Sequence, residues 1–527
     1  MKNIIKSSAI IFLSALFVLV PAACSNRTDQ KNAGKTAINL SYFIGEFGDE
    51  WINELAEEWS DANENYYIDV NTNLNLGGTI VADIRSGSVY DIVITEDCGF
   101  QTLFDGDYLE DLSDLLEIKP ENDRSISEKI LDKDLWLSLA ASGEAVYMLP
   151  YNISPCGLIF DYDRFRDKGW LMTDETGAIT VGKDGIAGTY DDGQPATMAE
   201  FRTMCEKIKA TGVDDVFLYM GANHPEYVNN VAYAYLAQII GEENYKIFYT
   251  HDSKGKEIEL IDGTKTTVSI EDGYKTWQMK GVDTMAEFLQ DYLCNSRYVS
   301  EATMSDKSIS VDTSHTQFIQ VDDKAAAFII EGSWFENGSR SLIESNVRYG
   351  GKPYGESDYR YMLLPSEESE KSQIFSQTGG AMLVTKQNDP EKLAAVKDFL
   401  VFLLRDENMG KVTAQCGMIW NYTYEIQDGT KQEMTKFTTN VYNMIHDQEH
   451  VSVHSPYMEM AATPIYSYSS LGTAGLMLCS DLQYNLIPAF RNATSASQLV
   501  QNIINYNTAD RWAGYLAQAK SYGFYSE

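Results

Sequence analysis

Ala37 to Phe43 alternates apolar and polar positions, the period of a half-buried strand. Trp51, Ile52, Leu55, Ala56 and Trp59 then recur on one helical face, with Asp49 placed as an N-cap. Tyr67–Val70 reads as a second strand, Ile80–Ile84 as a short helix and Asp91–Ile94 as a buried strand. Strand, helix, strand, helix, strand within about 60 residues is a βαβ pattern, which predicts an α/β protein with a mainly parallel sheet. Ligands of such sheets bind beyond the carboxyl ends of the strands. Those ends are Phe43–Gly48 and Thr95–Phe100. Ala145–Leu149 is apolar and leads into Pro150, Pro155 and Gly157, a composition that predicts a crossover between two lobes. Thr197 with Glu200 three residues on predicts a capping box before Phe201. Pro390 opens a predicted helix over Lys392–Leu404, with Leu393, Val396, Phe399, Leu400 and Leu403 on its apolar positions.

The N-terminus carries a different pattern. Lys2 and Lys6 precede the apolar run Ile10–Val20, which is too short to span a bilayer. A basic start, a short apolar core and the small residues after it predict a secretory signal peptide. Pro21-Ala22-Ala23-Cys24 resembles the lipobox of bacterial lipoproteins, although Pro21 stands where the pattern prefers Leu. That resemblance makes residues 1–24 a leader ending in a lipidated Cys24, with ordinary cleavage after Ala23 as the plainer alternative. Two acyl chains hold a protein on a membrane far better than one. Residues 25–36 are polar and read as a flexible tether.

The chain has 527 residues and a net charge of −36, with 41 Lys+Arg against 77 Asp+Glu. The length predicts at least two lobes, and the charge argues against nucleic acid and against docking on anionic lipid. Seven Cys include no CxxC and no Cys/His pairing, which excludes a zinc ribbon and a disulfide-dense scaffold. The Gly/Asp-rich stretch Lys183–Gly193 is expected to be a surface hairpin. A calcium loop on Asp184, Asp191 and Asp192 is the weaker reading, because Ile186 and Gly188 occupy ligand positions of the EF-hand register. His251–Tyr274 is a second polar insertion. His446, His450 and His454 would share a helical face, but Pro456 follows closely and loop positions are the better reading. No HExxH, GxSxG or Walker A signature occurs. The expectation is a protein without catalytic residues, cofactor or metal.

The order of several segments is similar to that of family 1 extracellular solute-binding proteins, the sugar-binding lipoproteins of ABC importers. Pro150-Tyr151-Asn152 and Gly157–Phe160 resemble the family's first hinge, followed by Tyr162-Asp163-Arg164-Phe165 at a helix start. Lys324–Trp334 resembles its Lys-Ala-Ala…Gly-x-Trp segment, and Thr378–Val384 its returning Gly-Gly strand. Cys416–Ile419 departs from the family's Gly-x-x-Pro by ending on Trp420. The resemblance covers about Ala37 to Tyr424 and implies a two-lobed, periplasmic-binding-protein-like fold, hinged around a ligand cleft. It implies residues 37–149 with 361–419 as lobe one and 150–360 with 420–527 as lobe two. It further implies a monomer held on the outer face of the bacterial membrane, which passes a sugar or oligosaccharide to an ABC permease without altering it. A peptide- or polyamine-binding lipoprotein and a polysaccharide-acting enzyme are the alternatives.

Sugars offer C–H faces to flat rings and hydroxyls to Asp, Glu and Asn. The strand-end candidates of that chemistry are Tyr42, Glu46, Trp51, Glu96 and Asp97, and the crossover adds Tyr151 and Asn152. Glu331, Trp334 and Glu336 follow from lobe two, with Gly379, Trp420, Asn421 and Tyr422 after the return. Trp51 shares its face with Leu55 and Trp59 and is equally a core residue. Glu96 and Asp97 are equally caps of the next helix.

Overall fold

The computed structural model describes residues 31–87, 90–96, 100–121, 124–142, 144–304, 309–365, 369–455, 487, 490 and 493–521. The leader, Cys24, Asp97 and Cys479 lie outside them. The tether expected to run to Thr36 is docked from Lys31 onward. Lys31 Nζ lies 2.6 Å from Glu57 and 2.8 Å from Asp61.

The amino-terminal βαβ units form as the alternation predicts. β1 (Thr36–Phe43) pairs in parallel with β2 (Tyr66–Asn73) and with β3 (Ile92–Thr95). α1 (Glu50–Ala62) and α2 (Leu76–Arg85) make the crossovers. Asp49 stands at the N-cap of α1 but makes no side-chain cap bond. β4 (Met148–Asp161) is the long crossover strand, buried along nearly its whole length. α3 (Met198–Ala210) carries the expected capping box, Thr197 with Glu200. β5 (Phe217–Leu218) precedes α4 (Pro225–Ile240), whose residues Tyr227 to Gln238 are all buried, so α4 runs inside the molecule.

α5 (Val311–Ile319) leads to β6 (Phe328–Gly332) and the single-turn α6 (Phe335–Gly338). After β7 (Tyr359–Met362) the chain returns along β8 (Ser372–Val384), antiparallel to β4, with register shifts on both sides of Gly379. α7 (Pro390–Leu403) has Pro390 in its first turn and Asp389 as its cap. α8 (Asp406–Cys416), β9 (Ile419–Trp420), α9 (Lys436–His446) and β10 (Val451–His454) follow, then α10 (Ala496–Tyr506) and α11 (Ala509–Ser521).

Among the described residues the main sheet has ten strands along the path β2-β1-β3-β8-β4-β6-β5, with β7 and β9 on β4 and β10 on β8. Its apolar packing falls into clusters. One gathers Ile38 to Tyr151 with Ala381 to Ile426. A second gathers Cys156 to Val299 with Ala327–Ile330 and the carboxy-terminal helices. A third, smaller one holds Tyr359, Tyr361, Phe437 and Ile445. Strands β4 and β8 run through both large clusters, so the expected crossover is a pair of continuous strands. Packing draws the partition differently from the resemblance. Tyr361 sits in the third cluster, while Trp420, Tyr422 and Tyr424 belong to the first.

The insertions are more tightly held than their polarity suggests. Lys183–Gly193 is a run of turns whose tip, Gly185–Gly188, is exposed as a surface hairpin would be, while its second half is tied down. Tyr190 donates to Asp447 at 2.7 Å, and Arg360 donates to Thr189 O at 2.6 Å. His446 is the last residue of α9 and half-buried, His450 pairs with Asp447 at 2.9 Å, and His454 lies in β10. The three histidines therefore share no helical face. Cys156, Cys205 and Cys416 are free thiols.

Candidate functional site

Four of the expected aromatic residues come together. Trp51 stacks on Tyr151 at 6.1 Å between ring centroids, and Trp420 meets both edge-on at 5.8 and 5.6 Å. Tyr42 closes the group: Trp51 Nε1 and the Tyr151 hydroxyl each reach its hydroxyl at 3.3 Å. Edge-on and offset contacts are the preferred geometries of aromatic pairs. All four are at most 2% exposed, so their faces are turned to one another and to the first core. Trp51 is therefore a core residue, as its helical face allowed. Tyr422 is buried in the same cluster.

The polar candidates gather around this floor. Asn152 donates to Glu96 Oε1 and to Ser154 Oγ, both at 3.0 Å. Packing around Glu96 pushes its carboxyl above the usual range, and the Asn152 amide partly offsets that. Gly380 lies against this pair, where a Cβ would run into Asn152 Oδ1 and the Tyr151 ring. Gly379 faces Ile153 at the irregular step of β8.

Trp334 occupies the most informative position. It is partly exposed and packs against both large apolar clusters. Tyr227 lies 5.7 Å from its ring, and His224 stacks on Tyr227 at 4.8 Å. Gly332 admits the indole, because a Cβ there would fall inside the ring. Beside it Glu331 is 1% exposed, with its Oε1 accepting from Gly332 N and its Oε2 3.3 Å from His315 Nε2.

Glu46 faces this group from the first lobe. It reaches solvent, yet the walls around it raise its carboxyl; His315, Glu331, Asp312 and His224 are the charges acting on it. Its backbone O accepts from Asn337 Nδ2 at 2.7 Å, and Gly338 lies so close that a Cβ there would strike its carboxylate. Glu336, by contrast, points to α9, where its carboxylate accepts from the Thr435 hydroxyl. Buried polar atoms without a partner include Asn152 Oδ1, Ser333 Oγ, Glu336 Oε1, Trp420 Nε1 and Tyr422 Oη. Arg164 Nε, Asp192 Oδ1 and Trp277 Nε1 are buried without a partner too, so such atoms do not by themselves mark the site.

Glu46 and Glu331 thus lie within reach of each other, with Trp334 beside Tyr227 and His224, while Glu96 and Asn152 pair with each other next to Gly380. Asp97 lies outside the described residues. His224, Glu226, Tyr227, Asn230, Asn337 and Gln377 also belong to the region but had not been marked. Asn230 on α4 donates to Gln377 on β8, a contact across 147 residues. The one local signal was His224-Pro225-Glu226-Tyr227, a polar and aromatic start to an otherwise apolar helix.

A cavity of about 310 Å³ lies elsewhere, under the Lys183–Gly193 insertion and beside Leu363 and Leu364. Its polar groups are already engaged: Lys183 Nζ donates to Ser369 O at 2.7 Å, and Gln194 bridges Tyr361 O and Leu363 N at 2.8 Å each. Among the described residues no group of three or more His, Cys, Asp or Glu is placed to hold a metal ion. No helix among them is long and apolar enough to cross a membrane.

The profile of a family described as bacterial extracellular solute-binding protein matches residues 55–438. No curated protein sequence matches. Among solved structures, apo RafE from Streptococcus pneumoniae is similar at TM-score 0.54 and 14% identity, over 90% of this chain and 99% of its own. A protein described with xylan utilisation by Caldanaerobius polysaccharolyticus is similar at TM-score 0.55 and 15% identity, over 89% and 99%. The galacto-N-biose/lacto-N-biose I-binding protein of a Bifidobacterium longum ABC transporter matches at TM-score 0.50 and 13% identity, over 89% and 98%. At such identities the likeness speaks for the two-lobed fold.

Proposed function

This chain belongs to the bacterial extracellular solute-binding protein family, and on that premise we propose that it captures a carbohydrate, an oligosaccharide, between hinged lobes and delivers it unaltered to an ABC permease. The observation that carries the reading is Trp334, a partly exposed indole packed against both large cores, with Tyr227 beside its ring and Glu331 three residues before it. A flat ring covers a sugar's C–H face, and Glu46, Glu96, Asn152 and Glu331 supply acceptors and donors for its hydroxyls. The buried rings of Tyr42, Trp51, Tyr151 and Trp420 form the floor that fixes the crossover strands. Structural relatives whose descriptions name raffinose, chitin oligosaccharide and lacto-N-biose support the sugar class.

Lobe one is residues 37–149 with the returning segment from about Gly380 to Ile426, and lobe two is the remainder, a division supported by apolar packing. The apolar run before Cys24 supports a diacylglyceryl anchor at that residue, which tethers a monomer to the outer face of the cell membrane. Replacing Cys24 by Ser is expected to release the protein into the medium; retention with the membranes overturns the anchor.

Calorimetry against a panel of oligosaccharides tests the central reading, with Trp334→Ala alongside. Saturable binding of at least one glycan is expected, weakened by about tenfold or more in the variant, the scale of an aromatic anchor. A second reading is favoured by the carboxylates: a cationic solute such as a polyamine or basic peptide. Silence from every glycan combined with tight spermidine or peptide binding would refute the sugar class in its favour.

A further inference from the structure

The inter-lobe region has a consistent electrical character. Glu46 acts from one lobe, and Glu226, Glu331 and Asp312 from the other, close enough that Glu46, His224 and Tyr227 each respond to Glu331. Glu226 pairs with His224 at 3.0 Å, and Glu331 with His315. Among the described residues no Lys or Arg pairs with Glu46, Glu96, Glu226 or Glu331. Arg340, one residue past Ser339, is turned onto the Tyr354 ring at 4.6 Å.

Glu331 is also held in a fixed hydrogen-bonding role. Ser339 Oγ lies 2.7 Å from His315 Nδ1, and His315 Nε2 lies 3.3 Å from Glu331 Oε2. Ser339, His315 and Glu331 are all at most 1% exposed. An ionised carboxylate only accepts, so Nε2–H donates to it. In the neutral ring Nδ1 is then an acceptor and takes the Ser339 hydroxyl as its donor. Glu331 Oε1 meanwhile accepts from Gly332 N at 3.1 Å. The buried row Ser339–His315–Glu331 therefore orients a carboxylate whose remaining lone pairs can meet only donors. A serine so enclosed is no nucleophile.

We propose that the site selects its ligand by charge: it takes a neutral or amino-bearing glycan and rejects one carrying a carboxylate, with Glu331 as the selecting residue and His315 as its positioning residue. This rests on the carbohydrate reading above and deepens it. An anionic sugar would bring a like charge against Glu46 and Glu331. The imidazoles that could offset it, His224 and His315, are already paired with Glu226 and Glu331, so among the described residues it would meet no Lys or Arg there. Unpaired like charges in a closed site are costly. A hydroxyl or an ammonium meets the same oxygens as a donor. The buried, unpartnered Ser333 Oγ, between Gly332 and Trp334, adds polar capacity without adding positive charge.

The test uses the full soluble protein and matched glycans. Neutral gluco-, galacto-, xylo- and chito-oligosaccharides are each compared with the counterpart oxidised to a terminal uronate and with the 2-amino counterpart, by calorimetry. Where a neutral glycan binds, its uronate is expected to bind at least about tenfold more weakly and the amino form equally or better. Glu331→Gln is expected to narrow the neutral-to-uronate ratio by about tenfold. His315→Leu is expected to narrow the ratio too, while His315→Gln, which keeps a donor and an acceptor, restores most of it. A merely structural role for His315 would lower all affinities and leave the ratio unchanged. A uronate bound as tightly as its neutral counterpart overturns the selection by charge and leaves the carbohydrate reading standing; no binding of any glycan removes both.

Discussion

Glu336 and His251 hold protonation states that free side chains would not, and the two pull stability in opposite directions with pH. Glu336 is 2% exposed, one oxygen accepts from Thr435 and the other has no partner. Burial pushes its carboxyl from 4.5 up to about 7. The folded state then binds this proton more tightly than the unfolded one, so the group's contribution is present below pH 4.5 and is lost as pH rises to 7. Glu336→Gln is expected to be more stable than the parent at pH 8, by up to about 3 kcal/mol, and indistinguishable near pH 4.5. Melting curves of the two proteins across that range check this; parallel curves would contradict it. His251 is the converse case. It caps a helix in the left-handed region, with φ of 56°, and its Nδ1 lies 2.7 Å from Thr276 Oγ1. Burial holds it neutral and lowers its pKa to about 3, so the folded state loses up to about 1.4 kcal/mol per pH unit below 6.5. His251→Asn keeps a residue suited to that backbone and is expected to flatten the acid limb of the same melting curves.

At the scale of elements, β6 and its turn show how a glycine makes the candidate site. The strand Phe328–Gly332 ends where the chain must bring Trp334 back across its own backbone, and only a hydrogen at Gly332 leaves room for the indole. Gly332→Ala forces that ring out of the gap between two rigid cores. The expected cost is about 1–3 kcal/mol, the usual penalty of overpacking, with a shift in indole fluorescence read in the same samples. A variant as stable as the parent with an unmoved indole spectrum would show that the ring yields freely. The same element marks what could be read from the chain. The apolar run Ala326–Ile330, the glycine and the tryptophan are adjacent, so a strand-to-turn position for Trp334 followed from local pattern. The βαβ opening, the Thr197 capping box and the helix start at Pro390 are equally local. His224, Tyr227 and Asn230 were not legible, because α4 is buried on every side and has no polar stripe to distinguish a ligand-facing turn. Gln377 meets Asn230 across 147 residues, and nothing in either neighbourhood signals the other. The floor of Tyr42, Trp51, Tyr151 and Trp420 was legible as aromatic but not as closed, since which face a ring turns outward depends on packing among four distant segments.

At the scale of the whole molecule the two lobes are joined by long strands and touch again at the mouth. β4 and β8 pass through both large cores, with irregular pairing at Gly379 where a hinge would bend. At the opposite end Asn337 donates to Glu46 O at 2.7 Å, and Gly338 leaves room for the Glu46 side chain. That bond favours the closed arrangement by an amount typical of one hydrogen bond, about 1 kcal/mol, which is about a fivefold change in the closed-to-open ratio. Ligand gripped between lobes binds only the closed form, so its apparent affinity scales with that population. Asn337→Ala is therefore expected to raise the radius of gyration of the unliganded protein in small-angle scattering and to weaken solute binding by up to about fivefold. The liganded radius should match the parent's if bound solute restores closure. The two readouts must move together. Weaker binding with an unchanged unliganded radius would mean that Asn337 touches the sugar itself, and the mouth contact would then be part of the binding surface rather than the latch that holds the lobes shut.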